Sequence, residues 1–216
     1  MSKDRKKSEG KPPESPAEEN RRDSREAILD AAEARFANSG IDGVAMREIA
    51  EDVGITKAAL YYHFTSKDEL WFAVCERLSA DRMDRLRAAA AECPDAVARL
   101  RCVISHLVDA FFENHHLSLI IHRMLLDPDE ERARRVALIA WKDTFEILYG
   151  LANELGIRGN RQHWVTIVAG MFLVPFEARG LLASFPGAGD GPFTPETLKE
   201  SIFAVLLPGG KPAGAV

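Results

Sequence analysis

Cysteine is scarce in this sequence, and its spacing excludes the scaffolds that depend on it. The 216 residues contain three cysteines, Cys75, Cys93 and Cys102, and no two of them form a C-x-x-C pair. A disulfide framework and a four-cysteine zinc site are therefore excluded as the organising feature. Because free thiols suit a reducing compartment, we expect a cytoplasmic protein.

Long apolar runs and a secretory signal are also missing. The longest charge-free apolar run, residues 164–176, has 13 residues, whereas a helix that spans a membrane needs about 18 or more. Residues 2–20 are polar and do not resemble a signal peptide. We therefore expect no membrane partner.

A surplus of positive charge, which usually marks a nucleic-acid-binding domain, is absent. The net charge is −5, and residues 21–70 contain seven basic and ten acidic residues. Any contact with DNA must therefore come from the local placement of a few cations.

The common catalytic motifs are missing as well. The sequence contains no G-x-S-x-G, Walker loop, G-x-G-x-x-G or H-E-x-x-H. His106, Asp109 and Glu113 follow one another at i, i+3 and i+7, and these residue types can bind zinc or iron. Without a recognised ligand spacing, we expect no catalytic residue, metal or cofactor.

The hydrophobic pattern is helical and contains no strand pattern. Residues 130–155 carry apolar residues close to helical spacing, which predicts one helix that ends at Gly156. Residues 164–182 are apolar nearly all round, which predicts a helix buried on several sides, with a kink or break at Pro175. The charged loop at residues 127–131 is expected to be solvated.

Residues 43–70 contain two short helical patterns joined at Gly54. Ile49 and Leu60 supply the small core between the two helices, and Ala50 is small where they cross. This spacing is typical of a helix-turn-helix, whose second helix enters the major groove of DNA, but a generic helical hairpin shows the same spacing.

The segment R-E-I-A-x-x-V-G-I-T-K-x-x-L-Y-Y-H-F-x-S-K-D-E-L at residues 47–70 resembles the DNA-binding domain of the TetR (tetracycline-repressor) family of bacterial transcription regulators. The resemblance covers residues 25–78. It implies an all-α fold with a three-helix DNA-binding domain that contains the helix-turn-helix, at residues 21–70. It also implies a larger helical domain for effector binding and dimerisation at 71–207, and we expect flexible segments at 1–20 and 208–216.

The resemblance also implies which residues contact DNA. Lys57 and Ala59 reach base edges from the first turn of the recognition helix, whereas the two tyrosine hydroxyls donate to phosphate. His63 either contacts phosphate or fills the interior of the domain. The family usually has threonine where Ala45-Met46 stands, so a cap and a DNA contact are expected to be missing. The predicted DNA-binding residues are Arg47, Thr56, Lys57, Ala59, Tyr61, Tyr62, His63 and Lys67.

The C-terminal part supplies an effector pocket and a dimer interface if the resemblance holds. An apolar cavity with a few polar handles is the pocket that we expect. The predicted effector-binding residues are Phe111, His122, Met124, Trp141, Phe145, Tyr149 and Met171. The predicted dimer-interface residues, from the last two long helices, are Trp164, Val168, Phe172, Ile202 and Leu206.

The sequence thus favours a homodimeric regulator that binds a double-stranded DNA operator. Its expected activity is repression that a small, largely apolar effector relieves. Two alternatives remain at this point. One is a helical protein-interaction scaffold of the same fold that has lost DNA binding, and the other is an all-α metal-dependent enzyme.

Overall fold

The computed structural model describes residues 16–182, 184 and 193–207, and within these residues the chain forms ten α-helices and no strand. The all-α prediction is confirmed. The helices are α1 (Pro16–Ser39), α2 (Met46–Val53), α3 (Lys57–His63), α4 (Lys67–Ala91), α5 (Ala96–Glu113), α6 (His115–Leu125), α7 (Glu130–Ala140), α8 (Lys142–Glu154), α9 (Arg161–Leu182) and α10 (Pro195–Leu206). Helix α1 begins inside the segment that we expected to be a flexible tail. The rest of that tail and residues 208–216 lie outside the described residues.

Helices α2 and α3 are joined by a turn that local interactions specify. Gly54 ends α2 in the left-handed conformation, with φ of 74°, which glycine adopts without the steric cost of a Cβ. The amide of Ile55 then donates to the Ala50 carbonyl at 3.0 Å. Thr56 caps α3, because its hydroxyl accepts a hydrogen bond from the Ala59 amide at 3.1 Å. This geometry confirms the helix-turn-helix.

The core of the N-terminal part forms where α1, α2, α3 and α4 meet. Phe36 and Trp71 pack edge to face with ring centroids 5.3 Å apart, and Ile49 and Leu60 are completely buried. Trp71 belongs to α4, which crosses the expected domain boundary at residue 70 as one continuous helix. The packing of α1 against α6 and of α4 against α7 joins the two parts further.

The larger part is built around α5, whose buried face packs against α8, α9 and α10. Phe111 of α5 lies 5.6 Å from Phe172 and 5.7 Å from Phe176 of α9, measured between ring centroids. Pro175 lies inside α9, and the helix continues through it. The break that we considered at Pro175 therefore does not occur.

The expected helix over residues 130–155 is instead two helices, α7 and α8, that meet at Trp141. The Ala140 carbonyl at this break accepts hydrogen bonds from Ser79 Oγ at 3.1 Å and from the Arg82 guanidinium at 2.9 Å. Both donors belong to α4, so a tertiary contact satisfies the carbonyl that the break leaves without a helical partner.

Helix α9 exposes more apolar surface than its sequence suggested. Ile167, Val174 and Leu181 are each more than half exposed, and they recur every seventh residue along one face of the helix. Residues 161–181 are long and apolar enough to cross a membrane. Within the most apolar stretch of this segment, 28% of the residues are buried in the protein. The same composition also suits a core helix with one face open to a protein partner, so it is weak evidence for a membrane span.

Candidate DNA-binding surface and effector pocket

Helix α3 presents one face to solvent. Lys57, Ala58, Tyr61 and Tyr62 are exposed on it, whereas Leu60 is buried against the rest of the domain. Tyr62 is 71% exposed, which is unusual for a large aromatic side chain unless it meets a partner. The ammonium of Lys57 lies 5.6 Å from the ring centroid of Tyr61, a cation–π contact that holds both side chains on this face.

His63 is half-buried at the end of α3. This position is intermediate between the two alternatives that the sequence left open, a contact with phosphate and a place in the interior of the domain. Its ring packs edge to face on Tyr62 at 5.5 Å between centroids. Burial, and then the positive charges of Arg21 and Arg25, lower the pKa of His63. The neutral imidazole is therefore favoured at neutral pH, and it can donate or accept one hydrogen bond beside the tyrosine.

Lys67 is bound within the protein. Its ammonium donates to the Val44 carbonyl at 3.2 Å, and the side chain is half-buried. The contact ties the start of α4 to the loop before α2. Since an ammonium has three donors, two remain for a phosphate, but removal of Lys67 would also disturb the loop.

Arg47 is a strongly exposed member of the predicted DNA-binding set. Its side chain is 74% exposed, and its guanidinium lies 3.4 Å from the Glu51 carboxylate one turn along α2. An exposed pair of this kind contributes little to stability, so the guanidinium is available to another anion.

Helices α2 and α4 begin with different caps, and the side-chain cap that was expected to be missing at Ala45 is missing. Ala45 has no side-chain acceptor, and the Glu48 carboxylate instead accepts from the Ala45 amide at 2.8 Å. Ser66 caps α4 by accepting from the Glu69 amide at 3.0 Å. The Glu69 carboxylate accepts from Thr65, at 2.7 Å from the amide and 2.6 Å from the hydroxyl, and these bonds lower the pKa of Glu69.

Ion pairs neutralise the acidic residues of the N-terminal part. Arg35 of α1 pairs with Asp52 and lies 3.7 Å from Glu48. Arg77 of α4 contacts Glu26, Asp30 and Glu33 of α1 at 3.3, 2.7 and 2.7 Å. Three acidic residues of the segment 21–70 are therefore paired with Arg77, a cation from outside that segment.

An open apolar pocket of about 500 Å³ lies between α6, α7, α8 and α9. This volume is in the range of small-molecule sites. Four of the predicted effector-binding residues line it, namely Met124, Trp141, Phe145 and Tyr149. We call it the effector pocket, and its other lining residues are Ile121, Leu125, Ala137, Leu138, Lys142, Glu146, Ala169 and Leu173.

Three of the predicted effector-binding residues lie elsewhere. Phe111 is buried in the aromatic cluster with Phe172. His122 is exposed and lies 3.2 Å from the Glu177 carboxylate, and Met171 packs against the main core without lining the pocket. Aromatic and sulfur-containing residues occur on many buried helix faces, so the sequence did not distinguish those that meet at a cavity.

The predicted dimer-interface residues point mostly inward. Val168, Phe172 and Ile202 have 3% exposure or less within a single chain, so they have almost no surface left to contact a second copy. Trp164 and Leu206 are half-buried against the same core. The large apolar residues that α9 and α10 do expose are Ile167, Val174, Leu181 and Val205.

Arg132 at the start of α7 joins the two parts of the chain. Its guanidinium forms two hydrogen bonds of 2.7 Å with the Asp127 carboxylate, and it also lies 3.2 Å from Asp42 and 3.7 Å from Asp68. The Asp127 side chain is 4% exposed, so the prediction of a solvated loop is wrong at this residue. Burial alone would raise the pKa of Asp127, but the hydrogen bonds from Arg132 and from the Asp129 amide lower it.

No group of three or more His, Cys, Asp or Glu side chains is placed to hold a metal ion in the part of the chain that the structure describes. His106 contacts the Cys102 carbonyl at 3.1 Å, and Asp109 pairs with Lys199. Burial raises the pKa of Cys75 and raises the pKa of Cys102 to about 11. Both groups therefore stay protonated at neutral pH, as thiols rather than nucleophilic thiolates.

A family of bacterial regulators matches the helix-turn-helix segment. The family model "Bacterial regulatory proteins, tetR family" matches residues 28–74. The HTH-type transcriptional regulator TtgR of Pseudomonas putida is 36% identical over 95 residues, which cover 44% of this chain and 44% of TtgR. The HTH-type transcriptional activator FasR of Mycolicibacterium smegmatis is 28% identical over 151 residues, which cover 68% of this chain and 67% of FasR. The chain thus spans about half the length of most of the curated relatives that it matches.

Solved structures resemble nearly the whole chain. The transcriptional regulator FadR from Bacillus subtilis, in complex with stearoyl-CoA, has a TM-score of 0.70 at 18% identity and covers 86% of this chain and 99% of FadR. AibR in complex with isovaleryl coenzyme A and operator DNA has a TM-score of 0.67 at 24% identity and covers 86% and 98%. At these identities the likeness establishes the fold, with an N-terminal helix-turn-helix and a helical C-terminal part.

Proposed function

Because the chain belongs to the TetR family of bacterial regulatory proteins, we propose that it is a cytoplasmic, ligand-responsive regulator that binds an operator as a homodimer. The observation that carries this proposal is the exposed face of α3, where Lys57 and the two tyrosines face solvent on the second helix of a helix-turn-helix. A cation and two phenol hydroxyls suit base edges and phosphates. The proposed DNA-binding domain ends near residue 70, and α4 continues from it into the effector-binding domain.

The apolar stripe formed by Ile167, Val174 and Leu181 on α9 supports the homodimer. These side chains are exposed, as is Val205 of α10, and a second copy would remove them from water. Two-fold symmetry would then place two recognition helices about 34 Å apart, or one turn of DNA.

The effector pocket supports regulation by a small, largely apolar molecule. Its wall is made mainly of aliphatic and aromatic side chains from four helices. FadR and AibR were solved with acyl-CoA ligands, which is compatible with an effector that has an apolar chain. An effector that binds the DNA-incompetent state more tightly shifts the population away from the operator and so relieves repression.

The direct test is binding to duplex DNA from upstream of the protein's own gene, across a series of salt concentrations. Selective binding that falls steeply with salt is expected, because phosphate contacts release counterions. A scrambled duplex is the control. If a genome-wide selection of bound fragments also returns nothing, DNA binding is refuted and the protein-interaction scaffold is favoured.

The dimer interface has its own prediction. Val174→Glu is expected to convert the dimer to a monomer in sedimentation, because it would place a carboxylate inside the proposed apolar interface. Operator binding should fall with it, since one recognition helix contacts only one half-site. The matched control is Leu126→Glu, which changes a residue that is 68% exposed and lies outside the stripe. A Val174→Glu protein that remains dimeric would refute the interface.

A further inference from the structure

Arg82 of α4 is buried in the larger part of the protein without an acidic partner. Its side chain is 5% exposed, and among the side chains that the structure describes no carboxylate lies within ion-pair distance of it. One of its N–H groups donates to the Ala140 carbonyl at 2.9 Å. Burial lowers the pKa of Arg82 to about 10, so the guanidinium is still cationic at neutral pH.

Two buried donors at this position lack an acceptor. They are Nε of Arg82 and Nε1 of Trp141, and the guanidinium carbon lies 5.1 Å from the centroid of the Trp141 ring. Buried N–H groups are normally paired, since an unpaired one loses its hydrogen bonds to water and gains nothing. An acceptor that also carries negative charge would pair with both donors and compensate the charge of the guanidinium.

A small cavity beside these donors lies next to the effector pocket and shares three lining residues with it. Its volume is about 10 Å³, and Ser79, Arg82 and Trp141 are among its lining residues. Ile121, Met124 and Trp141 line both this cavity and the effector pocket, so these side chains form the wall between them. The small cavity has room for about one water-sized group, such as one carboxylate oxygen.

We propose that the effector is an amphipathic carboxylate whose apolar chain fills the effector pocket and whose carboxylate binds Arg82 and the indole N–H of Trp141. One carboxylate oxygen in the small cavity would give Arg82 Nε and Trp141 Nε1 the acceptor that each lacks, and its charge would strengthen both hydrogen bonds. This inference rests on the proposed function, because it assigns the chemistry of the effector.

The other cation at the effector pocket does not serve the same purpose. Lys142 is 60% exposed and lies 3.9 Å from the Glu146 carboxylate, so water and Glu146 already solvate its charge. Among the described contacts the buried Arg82 has only neutral partners, the Ala140 carbonyl and the Trp141 ring, and is the stronger anion site. Lys142→Met therefore supplies a matched control for the removal of one cation beside the same pocket.

The location of Arg82 also connects binding with a change in shape. A carboxylate would compete with the Ala140 carbonyl for the guanidinium, and that carbonyl lies where α7 gives way to α8. Helix α7 carries Arg132, which contacts Asp42 and Asp68 of the DNA-binding domain. A shift at the break would thus reach, through α7, the loop before α2 and the first turn of α4, which flank the helix-turn-helix.

Isothermal titration of the full chain with decanoate, 1-decanol and decanoyl coenzyme A tests the inference, with operator affinity measured on the same preparations. The wild type is expected to bind decanoate about tenfold more tightly than 1-decanol, because only the carboxylate pairs with Arg82. Arg82→Met should abolish this preference and leave the affinity for 1-decanol unchanged, whereas Lys142→Met should retain the preference. Trp141→Phe, which keeps an aromatic ring but removes the indole N–H, should reduce it about threefold.

Equal binding of decanoate and 1-decanol to the wild type, no binding of either, or tighter binding of decanoyl coenzyme A would overturn the inference. The wild-type comparison and Trp141→Phe decide the matter if Arg82→Met does not fold. If the ligand assignment is overturned but the wild type binds the operator, the proposed function stands. Carboxylate preference without operator binding would refute the proposed function and retain the ligand assignment.

Discussion

Replacement of both Lys57 and Tyr62 with alanine is expected to lower operator affinity about 100-fold. Both side chains lie on the exposed face of α3, where the proposed contacts to a base edge and a phosphate originate. Each substitution occurs twice in a symmetric dimer, so the loss of modest individual contacts is doubled.

The fold should be unaffected by these substitutions, because neither side chain is buried. Alanine is also the residue most favourable to the helix. The contact between Lys57 and Tyr61 is lost, but an exposed cation–π pair contributes only about 0.5–1 kcal/mol.

The measurement is equilibrium binding to the operator across a salt series, together with the thermal unfolding temperature. Lys57→Ala alone should lower the slope of log affinity against log salt if the ammonium also neutralises a phosphate. Arg158→Ala removes one exposed positive charge from the loop between α8 and α9 and should leave affinity unchanged. A double variant that binds as tightly as the wild type would show that α3 does not contact DNA.

Arg132→Ala is expected to destabilise the protein by about 3 kcal/mol, because it leaves the nearly buried Asp127 carboxylate without its cation. For a chain of this size that corresponds to a fall of about 6–12 °C in the midpoint of thermal unfolding. The variant also loses the contacts that connect α7 with Asp42 and Asp68, so we expect its operator affinity to respond less to an effector.

The stability lost in Arg132→Ala should depend on pH in a definite direction. The folded state lowers the pKa of Asp127, so this carboxylate contributes stability at pH values above its unfolded pKa of about 3.9. The contribution is lost as the pH falls through the lower, folded-state pKa. The difference in unfolding free energy between wild type and Arg132→Ala should therefore be large at pH 7 and narrow below about pH 4.

Urea unfolding at several pH values measures this difference. Arg134→Ala is the matched control, since Arg134 is also on α7 but is 67% exposed and pairs only with the exposed Glu131 in the described contacts. A surface pair of this kind is worth about 0–1 kcal/mol. Equal stability of the two variants would mean that Arg132 does not hold the two domains together.

The helix-turn-helix could be predicted from sequence because its signals are local. The positive φ of Gly54, the Thr56 cap and the Ser66 cap each act within a few residues of the chain. The helical period also predicts which residues of α3 are buried and which are exposed. It places Leu60 toward the core and Tyr62 toward solvent.

Contacts between distant residues could not be predicted in the same way. Lys67 was predicted to contact DNA, and the sequence did not indicate that its ammonium also reaches the Val44 carbonyl, 23 residues earlier. The break at Trp141 depends on donors from α4 that lie about sixty residues away in sequence. The sequence around the break contains neither proline nor glycine at that point, so it carries no local signal.

The sequence by itself determined the all-α class, the turn at Gly54 and the identity of the residues on the exposed face of α3, because these follow from backbone conformation and helical period. Only the tertiary structure decided which apolar faces remain open, since Val168 and Val174 occupy similar apolar positions on α9 but only Val174 is exposed. The tertiary structure also decided which charged side chains form ion pairs. Arg77 and Arg132, both beyond the DNA-binding segment, neutralise acidic residues within it, and Arg82 is left as a buried cation because packing, rather than local sequence, sets its partners.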